Sequence, residues 1–351
     1  MATKRTRLIA LLLSGAAALV FILQSCENRK SGRGGDSSTK ESSDKPKEQI
    51  VVPSFITDSA MFFLRTQVEF GPRVPNTRAH VQTGDWLVSR LQAYGGRTIE
   101  QKTTVLAWDG TPLRMRNIIA EFNPDARKRI LLAAHWDTRP YADKDPESSM
   151  RKLPIDGAND GASGVAVLLE VARLIQQAPP KVGVDIIFFD AEDYGRPEWD
   201  DGGSDQDYLY WCLGSQHWKN NPHRPGYQAM FGILLDMVGG RNARFNREGI
   251  SMQVAPDVVN RVWSTAAKLG YAGLFQDPVT GEIIDDHIFM NQAGVRSIDI
   301  IDMQPSTKTM GFGGYEFSST HHTHKDNLEN IDPSVVEAVG RTLTHVIYHT
   351  R

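Results

Sequence analysis

Residues 130–137 read ILLAAHWD, and this stretch decides the fold. It opens with an unbroken apolar run, a pattern typical of a strand that is buried on both faces, as in a parallel sheet. The run ends in His135, Trp136 and Asp137, whose side chains suit a binding site. In an open parallel sheet, ligands bind beyond the carboxyl ends of the strands. The stretch therefore predicts an α/β fold with a functional site at that edge.

The rest of the chain alternates between strand and helix patterns. Further strands are predicted at 99–105, 116–122, 184–189, 231–237 and 296–301, and helices at 57–68, 83–94, 162–175 and 258–269. A last helix has Asp332 as its N-cap and Pro333 in its first turn, where these residue types are favoured. Strands that alternate with helices pack as one sheet covered by helices. We expect a single α/β domain with an open, mostly parallel, twisted sheet and helices on both faces.

Residues of the kind that bind metal ions follow several of these strands. They are His135 after the strand at 130–134, Asp160 at the start of a helix, Glu192 and Asp193 after residue 189, Asp236 after residue 235, and His322 in a later loop. Taken singly, each has an ordinary explanation, such as a helix cap or a surface turn. Gathered at one edge of a sheet, carboxylates raise one another's pKa, and a bound divalent cation would compensate for their charge. A mixed set of histidine and carboxylate ligands suits zinc with an open coordination position.

Composition and charge narrow the function classes. The chain has 351 residues, a net charge of −3 and a pI of about 6.4. Because there is no basic excess to replace the counterions of phosphates, we do not expect the protein to bind nucleic acid. Its only cysteines are Cys26 and Cys212, too few for a disulfide framework.

The first part of the chain has the pattern of an exported, anchored protein. Residues 1–25 have the layout of a signal peptide, with a basic start, an apolar run and a small residue before Cys26. This arrangement resembles the bacterial lipoprotein signal, which implies a lipid anchor on Cys26; an uncleaved signal anchor is the alternative. Residues 26–50 are polar and predict a flexible tether, which leaves 51–351 as the catalytic domain. We therefore expect a membrane-anchored lipoprotein of a bacterial cell envelope, with its domain facing the periplasm.

Six short motifs resemble the zinc aminopeptidase family in order and spacing. They are HWD (135–137), GANDGASG (157–164), FFDAED (188–193), LGS (213–215), LLDM (234–237) and DN (326–327). Within that family, DDHI (285–288) and HTHKDNLEN (322–330) resemble the glutaminyl cyclase branch, and the chain looks like a bacterial member of it. The resemblance implies the zinc aminopeptidase-like fold and an enzyme that closes an N-terminal glutamine into pyroglutamate and releases ammonia. Its substrates would be peptides and proteins that begin with glutamine.

The resemblance also implies roles for individual residues. A single zinc ion per chain would be held by Asp160, Asp193 and His322. Glu192 matches the general acid/base of the family. Asp285 matches an acid that is characteristic of the cyclases, and Asp236 matches a carboxylate hydrogen-bonded to it, so both are predicted to be catalytic.

Substrate contacts are predicted at Trp199, His321 and Asp299. Trp199 corresponds to an indole that packs against the substrate. The animal cyclases have tryptophan where this chain has His321, histidine where it has Asp299, and glutamate where it has Asp193. We expect the shorter Asp193 to bind zinc nonetheless, and the acid network around Asp299 to be rearranged.

A zinc aminopeptidase with two metal ions is the main alternative. His135 and Asp236 could hold a second zinc ion, with Asp160 as the bridge between the two. The segments at 285–288 and 322–330 favour the cyclase, whose intramolecular reaction needs no activated water.

Two further interpretations are weaker. Asp285 could simply be a favourable acid at a helix N-terminus. The domain could also be non-enzymatic, because a fold does not dictate a function. The presence of Glu192 together with the full set of ligand residues argues against that interpretation. Zinc content separates the cyclase, the aminopeptidase and the non-enzymatic protein, with one, two or no ions per chain.

Overall fold

A sheet of six strands forms the centre of the structure, a computed structural model that describes residues 50–204, 206–306 and 313–351. In chain order the described strands are β1 (Arg97–Leu106), β2 (Pro112–Phe122), β3 (Arg129–His135), β4 (Gly183–Phe189), β5 (Gly232–Asp236), β6 (Phe245–Arg247), β7 (Phe275–Val279), β8 (Ser297–Ile301), β9 (Met303–Pro305) and β10 (Tyr315–Phe317). The central sheet has the order β1-β2-β4-β3-β5-β8. Only β2, among these six, runs against its neighbours β1 and β4. The predicted open, mostly parallel sheet is confirmed, with β2 making it mixed.

Helices cover both faces of the sheet. They are α1 (Thr57–Glu69), α2 (Arg78–Ala93), α3 (Ala162–Gln177), α4 (Leu213–Asn220), α5 (Gly249–Val254), α6 (Pro256–Lys268), α7 (Asp286–Gln292) and α8 (Pro333–Tyr348). Leu132 belongs to the large core formed with α1, α2, α3, α6 and α8, whereas the adjacent Leu131 packs with Trp218 of α4 and Met290 of α7. Successive strand residues point to opposite faces, so every residue of β3 is buried. The continuous apolar run of β3 follows from this burial.

The ends of the helices follow their capping residues. The side chain of Asp332 accepts a hydrogen bond from the N–H of Ser334, and α8 begins at Pro333 as predicted. By contrast, α2 begins earlier than predicted, because the hydroxyl of Thr77 accepts a hydrogen bond from the N–H of His80. The short elements α4, α5, β6, β7, β9 and β10 were not predicted, since they are too short to show a clear period, and α7 was predicted only by the alternative in which Asp285 begins a helix.

The N-terminal predictions fall on residues 1–49, outside the residues that the structure describes. They comprise the signal peptide, the lipid anchor on Cys26 and nearly all of the tether. Within the three described ranges, no helix combines the length and the apolar character needed to cross a membrane.

Candidate metal and catalytic site

A cavity of about 360 Å³ lies at the carboxyl ends of the parallel strands. Its titratable lining residues include Asp160, Glu192, Asp193, Asp236, Asp285, His321 and His322. These side chains come from separate segments of the chain, which meet because parallel strands end at one edge of the sheet. The edge predicted to carry the site is therefore the edge that carries this cavity.

Asp160, Asp193 and His322 face one another in this cavity. Nε2 of His322 lies 3.2 Å from Oδ1 of Asp193 and 3.8 Å from Oδ2 of Asp160. Both carboxylate oxygens of Asp193 are buried and accept no hydrogen bond from any described residue. Burial and the nearby charge of Asp160 raise the pKa of Asp193. A cation among these atoms would relieve both the missing hydrogen bonds and the repulsion, so the donor set fits a metal ion.

The orientation of His322 is set by its neighbours. Its Nδ1 lies 3.3 Å from Oδ1 of Asp143, so that Nε2 is turned toward the carboxylates. Burial alone would raise the pKa of Asp143, but hydrogen bonds from Arg139, together with the adjacent imidazole of His322, hold it well below its usual range. The indole of Trp211 lies parallel to the imidazole, with ring centroids 5.9 Å apart. A carboxylate behind a ligating histidine is the usual means of fixing its tautomer and orientation.

Asp137 shapes the backbone that carries Glu192 and Asp193. Its two carboxylate oxygens accept hydrogen bonds from the N–H groups of Glu192, at 3.1 Å, and Asp193, at 3.2 Å. The preceding Ala191 has φ of 54°, a left-handed conformation that costs a residue with a side chain roughly 1 kcal/mol or more. Such strain persists only where surrounding contacts over-determine the backbone, and it is common at functional sites.

Asp326 fixes the backbone of the loop that carries Asp160. Its carboxylate accepts hydrogen bonds from the N–H groups of Asn159, at 2.6 Å, and Asp160, at 3.1 Å. The buried guanidinium of Arg73 donates to the carbonyl oxygens of residues 136, 156 and 157. Gly161 then adopts φ of 95° at the start of α3. The loop that carries Asp160 is thus held by buried polar contacts on several sides.

His135 forms a second cluster with Asp160 and Asp236. Its Nε2 lies 3.0 Å from Oδ1 of Asp160 and 3.2 Å from Oδ1 of Asp236. Burial alone would lower the pKa of His135, but hydrogen bonds with Asp137, Asp160 and Asp236 raise it well above its ordinary value. The structure therefore brings together the residues predicted for a second metal ion, and Asp160 belongs to both clusters.

His321 lies beside His322 but is held by Lys144. The ammonium group of Lys144 donates to Nδ1 of His321 at 2.9 Å. Burial, followed by the charge of His322, lowers the pKa of His321 well below its usual value, so the ring is neutral. Its remaining proton must then sit on Nε2, which faces Oδ2 of Asp160 at 4.0 Å. His321 lines the cavity and belongs, with Asp160 and His322, to a group of side chains that could hold a metal ion.

Glu192, Asp285 and Cys212 meet on another wall. One side-chain oxygen of each acid and Sγ of Cys212 all lie within 4.8 Å of one another. Burial and the charges of Asp193 and Asp285 raise the pKa of Glu192 well above its usual value, against the opposing effect of His135. Two carboxyl groups at this separation can exchange a proton through a substrate that bridges them.

Asp299 and Asp236 contact other partners than the sequence predicted. Asp285, the N-cap of α7, has a carboxyl oxygen within 4.8 Å of one from Asp299. Asp299 is fully buried within β8 and is absent from the described lining of the cavity, so it lies behind Asp285, and its predicted contact with the substrate stays a prediction. Asp236 hydrogen-bonds to His135 at 3.2 Å instead of pairing with Asp285 as predicted. The helix-start interpretation of Asp285 is also correct, alongside its place in the cavity wall.

Trp199 lies outside the described lining of the cavity, and its predicted contact with the substrate stays a prediction. It lies on the surface and packs edge-on against Tyr141. The indole that does line the cavity belongs to Trp211, over which the guanidinium carbon of Arg139 lies 4.6 Å from the ring centroid. Gly195 permits this arrangement, because a Cβ there would collide with the Trp211 ring.

Several residues of the site were not predicted from the sequence. They are Arg139, Asp143 and Lys144 after β3, and Trp211 and Cys212 before α4. The spacing of Arg139 and Asp143 is compatible with an ion pair, but nothing local indicates that the pair orients a histidine almost 180 positions later. Asp137 and Asp326 belong to the HWD and DN motifs, but these motifs alone did not indicate that the two carboxylates bind backbone N–H groups.

Comparisons with known proteins agree with this architecture. Residues 117–347 match the model of Peptidase family M28. Bacteroides thetaiotaomicron glutaminyl cyclase, solved bound to N-acetylhistamine, is 49% identical, with a TM-score of 0.82 over 86% of this chain and 100% of that chain. A leucine aminopeptidase precursor from the same species is 48% identical, with a TM-score of 0.81 over the same shares. The glutaminyl-peptide cyclotransferase-like protein of Mus musculus is 27% identical over 77% of this chain and 70% of its own length.

Proposed function

The chain belongs to peptidase family M28, and we propose that within this family it is a glutaminyl cyclase, which converts the N-terminal glutamine of peptides and proteins into pyroglutamate. Its similarity to bacterial glutaminyl cyclases, at 49% and 46% identity, supports this function. The structural observation that carries it is the pair of carboxyl groups, Glu192 and Asp285, that lie within 4.8 Å of each other in the cavity wall beside the metal-type residues.

The reaction is intramolecular. The neutral α-amine attacks Cδ of its own glutamine side chain, a new C–N bond closes the five-membered ring, and the original bond from Cδ to the amide nitrogen breaks. One amine proton moves to the leaving nitrogen, which departs as ammonia, so no water is consumed. The protein must hold the amine near Cδ and move that proton, and positioning of this kind removes much of a reaction barrier.

Glu192 is the residue that we assign to the proton transfer. Its carboxylate lies in the cavity beside Asp193, and its backbone is fixed by Asp137. It would accept a proton from the α-amine and donate one to the leaving nitrogen. Asp285 would bind the amide nitrogen of the substrate. Its neighbour Asp299 supports this role, because two buried carboxyl groups within 4.8 Å of each other repel as carboxylates, which favours a proton on one of them.

Zinc is the metal ion that we propose for Asp160, Asp193 and His322. The mixed carboxylate and imidazole set, the Asp193 oxygens without hydrogen bonds from described residues, and the Asp143 carboxylate behind His322 all support a bound divalent cation. A zinc ion held there would polarise the carboxamide carbonyl and stabilise the charge that develops on its oxygen.

An aminopeptidase is the second candidate, and one observation favours it. His135, Asp160 and Asp236 form a group that could hold another metal ion next to the first. Two metal ions that share a carboxylate and a water molecule are the usual machinery of hydrolytic aminopeptidases. The family includes exopeptidases, and one similar structure is a leucine aminopeptidase precursor.

The decisive experiment offers purified, zinc-replete protein a dipeptide that begins with glutamine. We expect one ammonia per substrate and a pyroglutamyl dipeptide as product. Release of free glutamine would instead identify an aminopeptidase. Parallel incubation with chelator-treated protein, with and without added zinc, tests whether the activity depends on the metal.

Export and anchoring form a separate proposal. The pattern of residues 1–26 supports a signal peptide and a lipid on Cys26. Labelling of bacterial cells with a clickable fatty acid should mark the wild-type protein, and a Cys26→Ala variant should stay unlabelled. An equal signal from both would overturn the lipid anchor without touching the enzyme assignment.

A further inference from the structure

His287 belongs to the DDHI motif but has no part in the reaction described above. Its ring is fully buried, outside the described lining of the cavity. Nε2 lies 3.2 Å from Oε2 of Glu248, and Nδ1 lies 3.9 Å from Oδ2 of Asp299. Asp299 in turn lies next to Asp285, and one atom each of Asp285, His287 and Asp299 lie within 4.8 Å of one another. A row of buried polar groups therefore leads from Glu248 through His287 and Asp299 to the Asp285 carboxyl in the cavity wall.

Glu248 is the anchor of this row. It caps α5, with Oε2 accepting from the N–H of Ser251 at 2.6 Å and from its hydroxyl at 2.7 Å. The same Ser251 oxygen accepts from the N–H of Asp299 at 2.9 Å, which ties Glu248 to β8. Burial alone would raise the pKa of Glu248, but His287 and the other donors lower it to about 2, so the side chain is a carboxylate.

A second connection runs from Glu248 to the cavity wall. Its Oε1 accepts a hydrogen bond of 3.1 Å from the N–H of Ile283, a residue that lines the cavity two positions before Asp285. Glu248 thus holds the segment that ends in Asp285 by its backbone, while His287 and Asp299 lie behind the Asp285 side chain. A buried charged group adds little net stability as a rule, so stability alone is a weak reason for the Glu248 carboxylate to lie beside His287.

We propose that Glu248 and His287 form a positioning pair that fixes the catalytic carboxyl of Asp285 against the cavity, through Ile283 on one side and Asp299 on the other. The proposal rests on the function proposed above and adds two residues that never touch the substrate. Loss of either residue should let Asp285 move, and small displacements of a catalytic group lower turnover much more than they weaken binding.

The test is a Glu248→Gln variant assayed with a glutaminyl dipeptide, with zinc content and thermal unfolding measured on the same sample. We expect kcat to fall about 10- to 100-fold, with KM and zinc content close to wild type. Glu170→Gln is the matched control, because Glu170 is also buried and accepts a backbone N–H, but from Ile56 on the side of α1. The control should lose thermal stability without losing kcat. A Glu248→Gln protein that behaves like this control would overturn the proposal.

His287→Asn provides a second, independent variant, which also serves if Glu248→Gln does not fold. We expect a similar fall in kcat, and a double variant that is no slower than the worse single variant, since both changes break one unit. Multiplied losses in the double variant, or an unchanged kcat in His287→Asn, would show that the two residues do not act together on Asp285. Wild-type protein that releases no ammonia would refute the proposed function instead, and this outcome is visible before any variant is made.

Discussion

The thiol of Cys212 donates a hydrogen bond of 3.2 Å to Oε1 of Glu192. The N–H of the same residue donates to the carbonyl oxygen of Glu192 at 2.9 Å. Cys212 therefore holds both the side chain and the backbone of the proposed general base. It does so from a left-handed backbone conformation, with φ of 56°, at the N-terminus of α4. Burial and the nearby charge of Glu192 raise the pKa of the thiol well above its usual value, which keeps it protonated as a donor.

A Cys212→Ala variant should therefore be slower. Loss of one hydrogen bond to a charged group corresponds to roughly a 10-fold fall in kcat, with little change in KM. Cys212→Ser retains a donor and should recover much of the rate. Steady-state kinetics of the three proteins check this, and an alanine variant as fast as wild type would contradict a role for the thiol.

Replacement of Glu192 by glutamine should remove proton transfer while leaving the metal site intact. We expect kcat to fall by about 10²- to 10⁴-fold, with zinc content unchanged, because Glu192 is not among the proposed ligands. Glu198→Gln is the matched control: its side chain is largely exposed and lies 3.9 Å from Lys144. If Glu192→Gln turns over at the wild-type rate, another group must carry the proton.

The position of the site was predictable because it depends on strand direction alone. Residues that follow β3, β4 and β5 had to meet at one edge once those strands were predicted to be parallel. Placing Asp193 and Asp236 at this edge of the sheet required no knowledge of side-chain packing. The bounds of these buried strands were predicted closely for the same reason, since a continuous apolar run marks burial on both faces.

Contacts between distant loops were not predictable. The choice between Trp199 and Trp211 depends on how the segment after Asp193 folds back, and both residues lie in stretches without a period. Similarly, Asp299 and Asp236 occupy neighbouring strands, and only the positions of α7 and β3 decide that the first reaches Asp285 and the second His135. Sequence patterns predict the helices and strands, whereas the contacts between their side chains depend on how these elements pack together.

The two tryptophans can be distinguished by mutation. Trp211 lines the cavity and stacks on His322, so Trp211→Leu should lower kcat/KM by about 3- to 10-fold or more. Trp199→Leu should stay within about twofold of wild type, because Trp199 packs against Tyr141 outside the described lining of the cavity. Dipeptide kinetics on both variants give the comparison. A larger effect at Trp199 would restore the original sequence-based assignment.

Metal content should respond differently to substitution at the two histidines. His322→Asn removes a proposed ligand, and we expect the purified protein to lose most of its zinc and its activity. His135→Asn removes a residue that is not among the proposed ligands of the first zinc ion and should retain one zinc ion per chain. Elemental analysis of dialysed protein provides the measurement. A wild-type content of two ions that falls to one in His135→Asn would favour the two-metal aminopeptidase.

The last prediction concerns Asp302, at the end of β8, and the pH dependence of stability. Burial raises the pKa of Asp302 to about 7, against hydrogen bonds to its Oδ1 from the N–H of Arg244 and from the side chain of Gln304. In the unfolded chain this pKa is about 4, so the folded state binds more protons between about pH 4 and 7, and its stability falls as pH rises through that window. Asp302→Asn removes the ionisation and should gain stability relative to wild type on going from pH 5 to pH 8, by at most about 3 kcal/mol. Urea unfolding at the two pH values measures the difference, and the same offset at both would mean that the Asp302 carboxyl does not titrate in this range.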